Sequence, residues 1–328
     1  MSHLSTHICG ITGTTVGSKL AWKFLTVSAM FLIVTVGAWG QDNATITGTV
    51  TDPSGGLVAS VTIFLKNLAT GQVRQVISNT SGVYRFPDVG VGRYTLEAAM
   101  QGFQKFTKTD IVVNVAQTLQ EDIPLKVGSA QETVTVEADA LQVQSQTNEI
   151  SNLISGEQVS QLATNGRNVT ALAALGTGKS NTLPSYSGVN ALTTANSISF
   201  NGTRNTHNIY LVDGGELNDR GCGGCFSSLP SIDALAEFQT LDSNYGPDYG
   251  IGSGGTITMV LKSGSREFHG ALWEFNRNED YQANNFFLNS AGKPRPEFRL
   301  NVPGGNFGGP LWKNTFFFVN EEWRRQIQ

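Results

Sequence analysis

Hydrophobic and polar residues alternate with a period of two through much of the chain after its first forty residues. The pattern is clearest over residues 44–126, where short alternating segments are separated by turn-forming sequences such as DPSGG and NTSG. Seven such segments predict a β-sandwich with its apolar faces turned inward. Four aromatic residues of these segments are expected in its core: Tyr84, Phe86, Tyr94 and Phe103.

Residues 147–262 combine helical and strand periods, which predicts an α+β unit. The segment NLISGEQVSQLATNGRNVTALAALGTG has the helical period, with a break at its Asn-Gly pair. The segment SISFNGTRNTHNIYLVDGGELND predicts strands joined by a tight turn at Asp213 and Gly214. A short helix capped by Ser231 or Asp233 is expected next, followed by a last strand in GSGGTITMVLKSG.

Residues 263–328 carry two alternating stretches rich in aromatic residues, HGALWEFNRN and NTFFFVNEEWRR. This pattern is typical of transmembrane β-strands. The sequence VPGGNFGGPLWKN between them predicts a turn-rich connection. About sixty residues supply three or four strands of about 10 residues each, whereas closed barrels need at least about eight strands. We therefore expect the beginning of a barrel that does not close within this sequence.

Residues 1–40 have the pattern of an export signal. Lys19 and Lys23 precede the apolar run at residues 24–38, and small residues precede an expected cleavage site near Gln41. The alternative is a membrane anchor, but a run of about 15 apolar residues is shorter than the roughly 20 that a spanning helix needs. The sequence thus predicts a signal peptide and an exported protein.

Composition supports an exported, turn-rich β protein. Charged residues make up 15% of the chain and 37 of its 328 residues are glycine, whereas soluble domains average about 25% charged residues and about 7% glycine. The net charge is -4 and no basic block occurs. A nucleic-acid partner is therefore not expected.

The sequence contains no constellation that predicts catalysis. Once the signal is removed, His207 and His269 remain, and neither lies in a zinc-hydrolase motif. The segment AALGTGKS at residues 173–180 resembles a phosphate-binding loop, but Pro184 and Gly188 follow where that loop requires a helix. We therefore expect no enzyme activity, no cofactor and no metal site.

Cys222 and Cys225 form a CGGC sequence within a glycine-rich segment. In an oxidising compartment this spacing favours a small disulfide that pins a loop. A thiol oxidoreductase site is the alternative, but such motifs open a helix after a strand. The expected role of the two cysteines is therefore structural.

Two stretches of the predicted sandwich, GTVTDPSGGLVASVTIFLKN and TSGVYRFPDVGVGRYTLEAAMQGFQ, resemble the carboxypeptidase regulatory-like domain. The resemblance implies a carbohydrate-binding-like fold for residues 44–126. It also implies a role in binding or spacing and not in peptide cleavage, because the catalytic carboxypeptidase domain is absent from the sequence.

The second half of the chain resembles TonB-dependent outer-membrane receptors. The matching segments are NGRNVTALAALGTG, NIYLVDGGELND, SIDALAEFQTLDSNYGPDYGIGSGGTITMVLKSG and FHGALWEFNRNEDYQANNFF. The resemblance implies that residues 147–262 form the plug domain of such a receptor and that residues 263–328 begin its transmembrane β-barrel. Its implied partners are the periplasmic protein TonB, outer-membrane lipid and a small-molecule or oligomeric substrate that the sequence does not identify. An exported adhesin that binds glycan or protein through the sandwich is the alternative.

Residues 127–146 are predicted to form a linker that carries the strand-like sequence ETVTVEA. This sequence resembles a TonB box, the mobile segment that TonB recruits by adding a strand to a sheet. The alternatives are a last strand of the sandwich or a strand within the plug. The residues assigned to the TonB box are Glu132, Thr133, Val134, Thr135, Val136, Glu137 and Ala138.

Overall fold

The computed structural model describes residues 44–128, 133–137, 148–162, 167–181, 198–219, 221, 225–226, 229–246, 249 and 252–327. The predicted signal peptide lies outside these residues, as do Glu132, Ala138 and Cys222. All described residues belong to one compact unit, Gln41–Gln328. Within the described part of the chain, no helix is both long enough and apolar enough to span a membrane.

The first part of this unit is the predicted sandwich. Its first sheet has the order β4-β1-β7, with β8 also paired to β1, and its second sheet begins with β3-β2-β5-β6. The apolar positions of the strands form one core between the sheets, which includes Tyr84, Phe86 and Tyr94, with Phe103 packed against it and only partly buried. The strands are β1 (Ala44–Thr51), β2 (Thr62–Asn67), β3 (Val73–Ile77), β4 (Val83–Val89), β5 (Gly92–Ala99), β6 (Lys105–Val113), β7 (Thr118–Gln120) and β8 (Ile123–Pro124).

The last of the seven alternating segments, IVVNVAQTLQEDIPL at residues 111–125, predicts one strand, but the structure divides it. Residues 111–113 continue β6, and the chain then turns before β7 and β8. Ala116 has a φ of 53° in this turn, and Asn114 N–H donates to the Gln117 side chain at 3.1 Å. Alternation continues through the turn in the sequence, so the period alone did not reveal the break.

A ninth strand, β9 (Thr133–Glu137), completes the second sheet. It runs parallel to β6, in register from Lys105 opposite Thr133 to Thr109 opposite Glu137. Five residues of the predicted linker therefore pair with a strand of the sandwich. This pairing agrees with the alternative of a last strand of the sandwich, because the edge of β6 satisfies the backbone groups on one side of β9.

Residues 148–261 contain a five-stranded sheet in the order β10-β17-β18-β13-β14, here called the central unit. Short helices α1 (Gly156–Gln161) and α2 (Thr170–Ala173) contribute to its apolar core. Two small hairpins, β11-β12 and β15-β16, complete it. The strands are β10 (Ile150–Ser155), β11 (Lys179–Asn181), β12 (Ile198–Phe200), β13 (Ile209–Val212), β14 (Gly215–Glu216), β15 (Asn218–Asp219), β16 (Cys225–Phe226), β17 (Leu235–Ser243) and β18 (Thr256–Leu261).

Two predicted helices of the central unit are shorter than expected. The NLIS sequence at residues 152–155 belongs to β10, which pairs with β17, and α1 begins only after Ser155, whose side chain caps it. Ser231 caps a single 3-10 turn, Ile232–Ala234, and the apolar residues that follow form β17. Short apolar runs fit both the helical and the strand period. Pairing with neighbouring strands therefore determines which of the two structures they form.

The last part of the chain is a four-stranded antiparallel sheet, here called the barrel sheet. Its path is β19-β20-β21, and β22 pairs with the other end of β20. Helix α3 (Phe286–Ser290) lies in the connection between β19 and β20. The strands are β19 (His269–Asn278), β20 (Arg299–Trp312), β21 (Thr315–Glu322) and β22 (Arg325–Ile327).

The glycine-rich segment predicted as a connection is instead the long strand β20. Its glycines leave room for large side chains of β19. A Cβ atom at Gly304 would lie 2.5 Å from Nε1 of Trp273, and one at Gly305 would lie 2.6 Å from a methyl carbon of Leu272. Glycine therefore serves here for side-chain packing across the sheet and not for a turn.

Candidate functional site

Arg167 joins the central unit to the barrel sheet. It follows the Asn-Gly pair and has a φ of 54°. Its guanidinium donates to Asp233 of the 3-10 turn and, at 3.3 Å, to Glu322 of β21. The same group lies 3.8 Å from the ring centroid of Phe275 in β19. These side chains are separated in sequence and meet only in the folded protein.

The contacts of Arg167 are mostly withdrawn from solvent. The exposed fractions of the Arg167, Asp233 and Glu322 side chains are 15%, 20% and 16%. Ser231 also donates to Glu322, at 2.8 Å. Arg167 thus bridges two carboxylates, and Arg324 lies close enough to attract Glu322 and to repel Arg167. These electrostatic interactions are strengthened because water is largely excluded. We call this cluster of Arg167, Asp233 and Glu322 the Arg167 junction.

The barrel sheet has different chemistry on its two faces. Phe275 faces the central unit, and the residues that alternate with it face away. On the outward face Leu272, Phe307 and Val319 are 91%, 51% and 59% exposed. Phe307 stacks on Phe268 with ring centroids 5.8 Å apart. Farther along β19 the same face turns polar, where the amide of Asn276 donates to Asn301 at 2.6 Å.

The sandwich contacts the central unit through a buried carboxylate. Glu237 of β17 accepts a hydrogen bond from Val115 N–H at 2.9 Å, and Val115 lies in the turn after β6. Burial raises the pKa of Glu237 to about 7, and the hydrogen bond from Val115 opposes the rise. The carboxyl group therefore changes charge near neutral pH while it holds the two parts together.

A second contact joins the sandwich to the chain that enters the barrel sheet. Arg266 donates through Nε to the carbonyl of Thr70 at 2.8 Å, and its backbone N–H donates to Ala69 at 3.2 Å. Gly71 has a φ of 67°, and a Cβ atom there would overlap the Arg266 guanidinium. The turn between β2 and β3 is thus shaped to receive this arginine.

Lys179, the lysine of the phosphate-loop-like segment, lies inside the central unit. Its ammonium donates to Thr240 at 2.5 Å and pairs with Asp242 at 3.1 Å, and its side chain is fully buried. Burial lowers the pKa of Lys179, and Asp242 opposes this shift. These contacts hold two elements together, and they leave the lysine turned away from any phosphate in solvent.

Asp213 and Gly214 occupy the turn between β13 and β14. Their φ angles are 46° and 78°, so both residues have left-handed backbones. The Asp213 carboxylate accepts from Leu261 N–H at 3.0 Å, which ties the turn to β18. Any residue with a Cβ atom is disfavoured at Gly214, because only glycine adopts this left-handed backbone without strain.

Of the two cysteines, Cys225 belongs to β16, and the proposed bridge to Cys222 lies outside the described residues. No group of three metal-ligating side chains occurs within the described ranges. Sequence reasoning missed the Arg167 junction and Glu237. The NGRN sequence was a signal for the Arg167 junction, because an arginine that follows Asn-Gly is expected on a turn. The partners of Arg167 could not be found in this way, because they are distant in sequence.

Comparisons with known proteins define the class. Residues 45–126 match the carboxypeptidase regulatory-like domain family, and residues 260–328 match the outer membrane beta barrel domain family. Together with the relative described next, these matches confirm the resemblance to TonB-dependent outer-membrane receptors and the mainly β fold. They also indicate that the protein resides in the outer membrane.

A relative from Myxococcus xanthus is described as the TonB-dependent transporter Oar. It is 27% identical over 242 residues, which are 70% of this chain and 21% of the relative. The chain thus spans about a fifth of the length of that transporter.

Similar solved structures include a siderophore receptor and an outer membrane transporter. The siderophore receptor PirA from Acinetobacter baumannii has a TM-score of 0.40 and 19% identity, over 58% of this chain and 26% of the receptor. The outer membrane transporter YddB from Escherichia coli has a TM-score of 0.43 and 17% identity, over 55% of this chain and 28% of the transporter.

Proposed function

We propose that the full-length protein is a TonB-dependent transporter that moves a substrate across the outer membrane without changing it chemically. The central unit acts as the plug domain, over residues 147–262, and residues 263–328 supply the first strands of the barrel. Residues 132–138 couple the plug to TonB. Outer-membrane lipid contacts the outward face of the barrel sheet, and the substrate class stays open.

The observation that carries this proposal is the Arg167 junction. A plug must stay in the barrel at rest and must also be able to leave its position. Arg167 provides a compact ionic contact with Asp233 on one side and Glu322 of the barrel sheet on the other. Such a contact is specific when formed, and its charged groups are readily hydrated when it opens.

The outward face of the barrel sheet supports the same function. Exposed Leu272, Phe307 and Val319 are unfavourable in water and favourable against lipid. An adhesin that binds its target only through the sandwich does not require an apolar outward face on the barrel sheet. The Arg167 junction on one face and apolar side chains on the other favour a membrane-embedded wall with a plug behind it.

Substrate uptake by a deletion strain tests the proposal. The strain is complemented with the full-length protein and offered siderophores, oligosaccharides, peptides and cobalamin in turn. At least one substrate should be taken up only in cells with the wild-type gene and functional TonB. Uptake should be lost when residues 132–138 are replaced by a Gly/Ser sequence of equal length.

The matched control replaces residues 139–145 in the same way and should leave uptake nearly unchanged. If the 132–138 replacement transports as well as wild type, the coupling assignment is wrong. If the panel is taken up equally with and without the gene, the transport function is wrong for these substrates.

A further inference from the structure

The strand β9 is already paired within the resting protein. It forms five register pairs with β6, and it is the last strand of its sheet. Among the described residues, no strand lies against its other edge. The backbone groups of one side of β9 are therefore occupied by the sandwich, while those of the other side have no partner strand in the described part of the chain.

The two side chains of β9 that the structure describes are exposed. Thr135 is exposed, and Val136 is 40% exposed although it is apolar. Main-chain pairing with β6 extends over all five residues of the strand. A partner protein that adds a strand offers bonds of the same kind, so one ladder can be exchanged for the other.

The chain just before β9 is fixed to the sandwich. Gln104 N–H donates to Lys126 at 2.8 Å, and Gly128 N–H donates to Gly102 at 3.2 Å. Thr133 follows Gly128 by only five positions in the sequence. A detached β9 therefore stays close to β6, which then competes for it at an effective concentration in the millimolar range.

We propose that the sandwich stores the coupling strand, so that β6 and TonB compete for β9 and TonB binds only molecules in which β9 has left β6. This inference rests on the proposed coupling role of residues 132–138. The apparent affinity for TonB falls in proportion to the fraction of molecules in which the strand is released. The sandwich thereby regulates when the transporter is available to TonB.

A reversible covalent lock tests the competition in the full-length protein. Thr107 and Thr135 are register partners on the face of the sheet opposite the buried Phe106. Neighbouring strands place Cα atoms about 4.8 Å apart, within the range a disulfide tolerates. The variant carries Thr107→Cys and Thr135→Cys, with Cys222→Ser and Cys225→Ser to remove competing thiols.

The matched control carries Thr109→Cys and Thr133→Cys in the same background. Thr133 pairs with Lys105, so these two positions are displaced by four residues, or roughly 13 Å along the strand. We expect the in-register pair to oxidise readily and the displaced pair to remain largely reduced. Failure of the in-register pair to oxidise, or equal oxidation of both pairs, would overturn the inference.

Binding is then measured with the isolated periplasmic domain of TonB. The oxidised in-register variant should bind at least tenfold more weakly than the same protein after reduction, and the reduced form should bind like wild type. Equal binding by the oxidised and reduced forms would overturn strand storage alone, because TonB would then use the outward edge of β9. No binding by wild type or by the reduced variant would overturn the proposed coupling role together with this inference.

Discussion

At the scale of single residues, the Arg167 junction depends on one guanidinium that contacts two carboxylates. Asp233 and Glu322 are both mostly buried, so neither can rely on water to disperse its charge. A guanidinium can meet both groups because its donors point in several fixed directions. The ring of Phe275 adds a favourable surface below the cation.

Removal of this cation should destabilise the contact between the central unit and the barrel sheet. Arg167→Ala is expected to lower the free energy of unfolding by about 3 kcal/mol, because Asp233 loses its ion-pair partner and Glu322 loses one of the two arginines near it. Arg167→Lys should recover only part of the loss, since an ammonium is a point charge. Urea unfolding of the full-length protein measures both changes.

The control is Arg93→Ala, which breaks an ion pair with Asp110 whose side chains are 64% and 53% exposed. This substitution should change the free energy of unfolding by no more than about 0.5 kcal/mol. A similar small effect for Arg167→Ala would contradict a stabilising role for the junction.

Glu237 gives the stability of the protein a dependence on pH. Its pKa rises from an ordinary 4.5 to about 7 in the folded protein, so the folded state holds the proton more tightly. This stabilising contribution is complete below about pH 4.5 and is lost as the pH rises through about 7. Glu237→Gln should therefore match wild type near pH 5 and exceed its stability at pH 8 by up to about 3 kcal/mol.

Thermal melting of both proteins across this pH range measures the difference. Glu267→Gln is the matched control, because Glu267 is exposed. Parallel melting curves for wild type and Glu237→Gln at every pH would show that Glu237 does not titrate in this range.

At the scale of elements, the turn between β13 and β14 provides a direct test of backbone geometry. Gly214→Val forces a β-branched residue into a left-handed backbone, since Gly214 has a φ of 78°. We expect a loss of about 1 to 3 kcal/mol in the free energy of unfolding. Gly215→Val, next in sequence, lies in strand β14 and should cost less. Urea unfolding of the two variants in parallel gives the comparison, and a larger loss for Gly215→Val would contradict the turn geometry.

Much of the element pattern could be predicted from the sequence. In β1, Ile46 and Val50 alternate with polar residues and are fully buried, as their period requires. The period failed in β20, where glycines at positions 304 and 305 resembled a turn, because their packing partners belong to another strand. For β9 the period identified the strand but could not identify the strand edge to which it pairs.

The candidate site was less accessible from the sequence than the fold. Arg167 and Glu322 are 155 positions apart, and their contact arises only once β21 lies beside the central unit. Val115 and Glu237 are 122 positions apart and come from different parts of the fold. Local periodicity carries no information on such pairs.

At the scale of the whole molecule, the sandwich is fixed at two places. Val115 contacts Glu237 of the central unit, and Thr70 contacts Arg266 at the entry to the barrel sheet. Arg266→Glu should loosen the second contact, because it places a carboxylate beside carbonyl oxygens. Limited proteolysis should then cleave between the sandwich and the central unit about fivefold faster, the effect of a change of about 1 kcal/mol.

Lys293→Glu makes the same charge change at an exposed residue in the connection that contains α3. Its digestion should follow that of wild type. If Arg266→Glu is also cut at the wild-type rate, the contact with Thr70 does not hold the sandwich in place.

The position of β9 between two anchors has a mechanical consequence. Upstream, the strand is tied to the sandwich at Gly128, and downstream the chain leads to β10, the outermost strand of the central sheet. A force applied to β9 is therefore shared between a sandwich edge and a sheet edge. Because β10 lies at the edge of the central sheet, force on it can break its hydrogen bonds to β17 one at a time. Removal of an interior strand such as β17 requires the hydrogen bonds on both of its sides to break together.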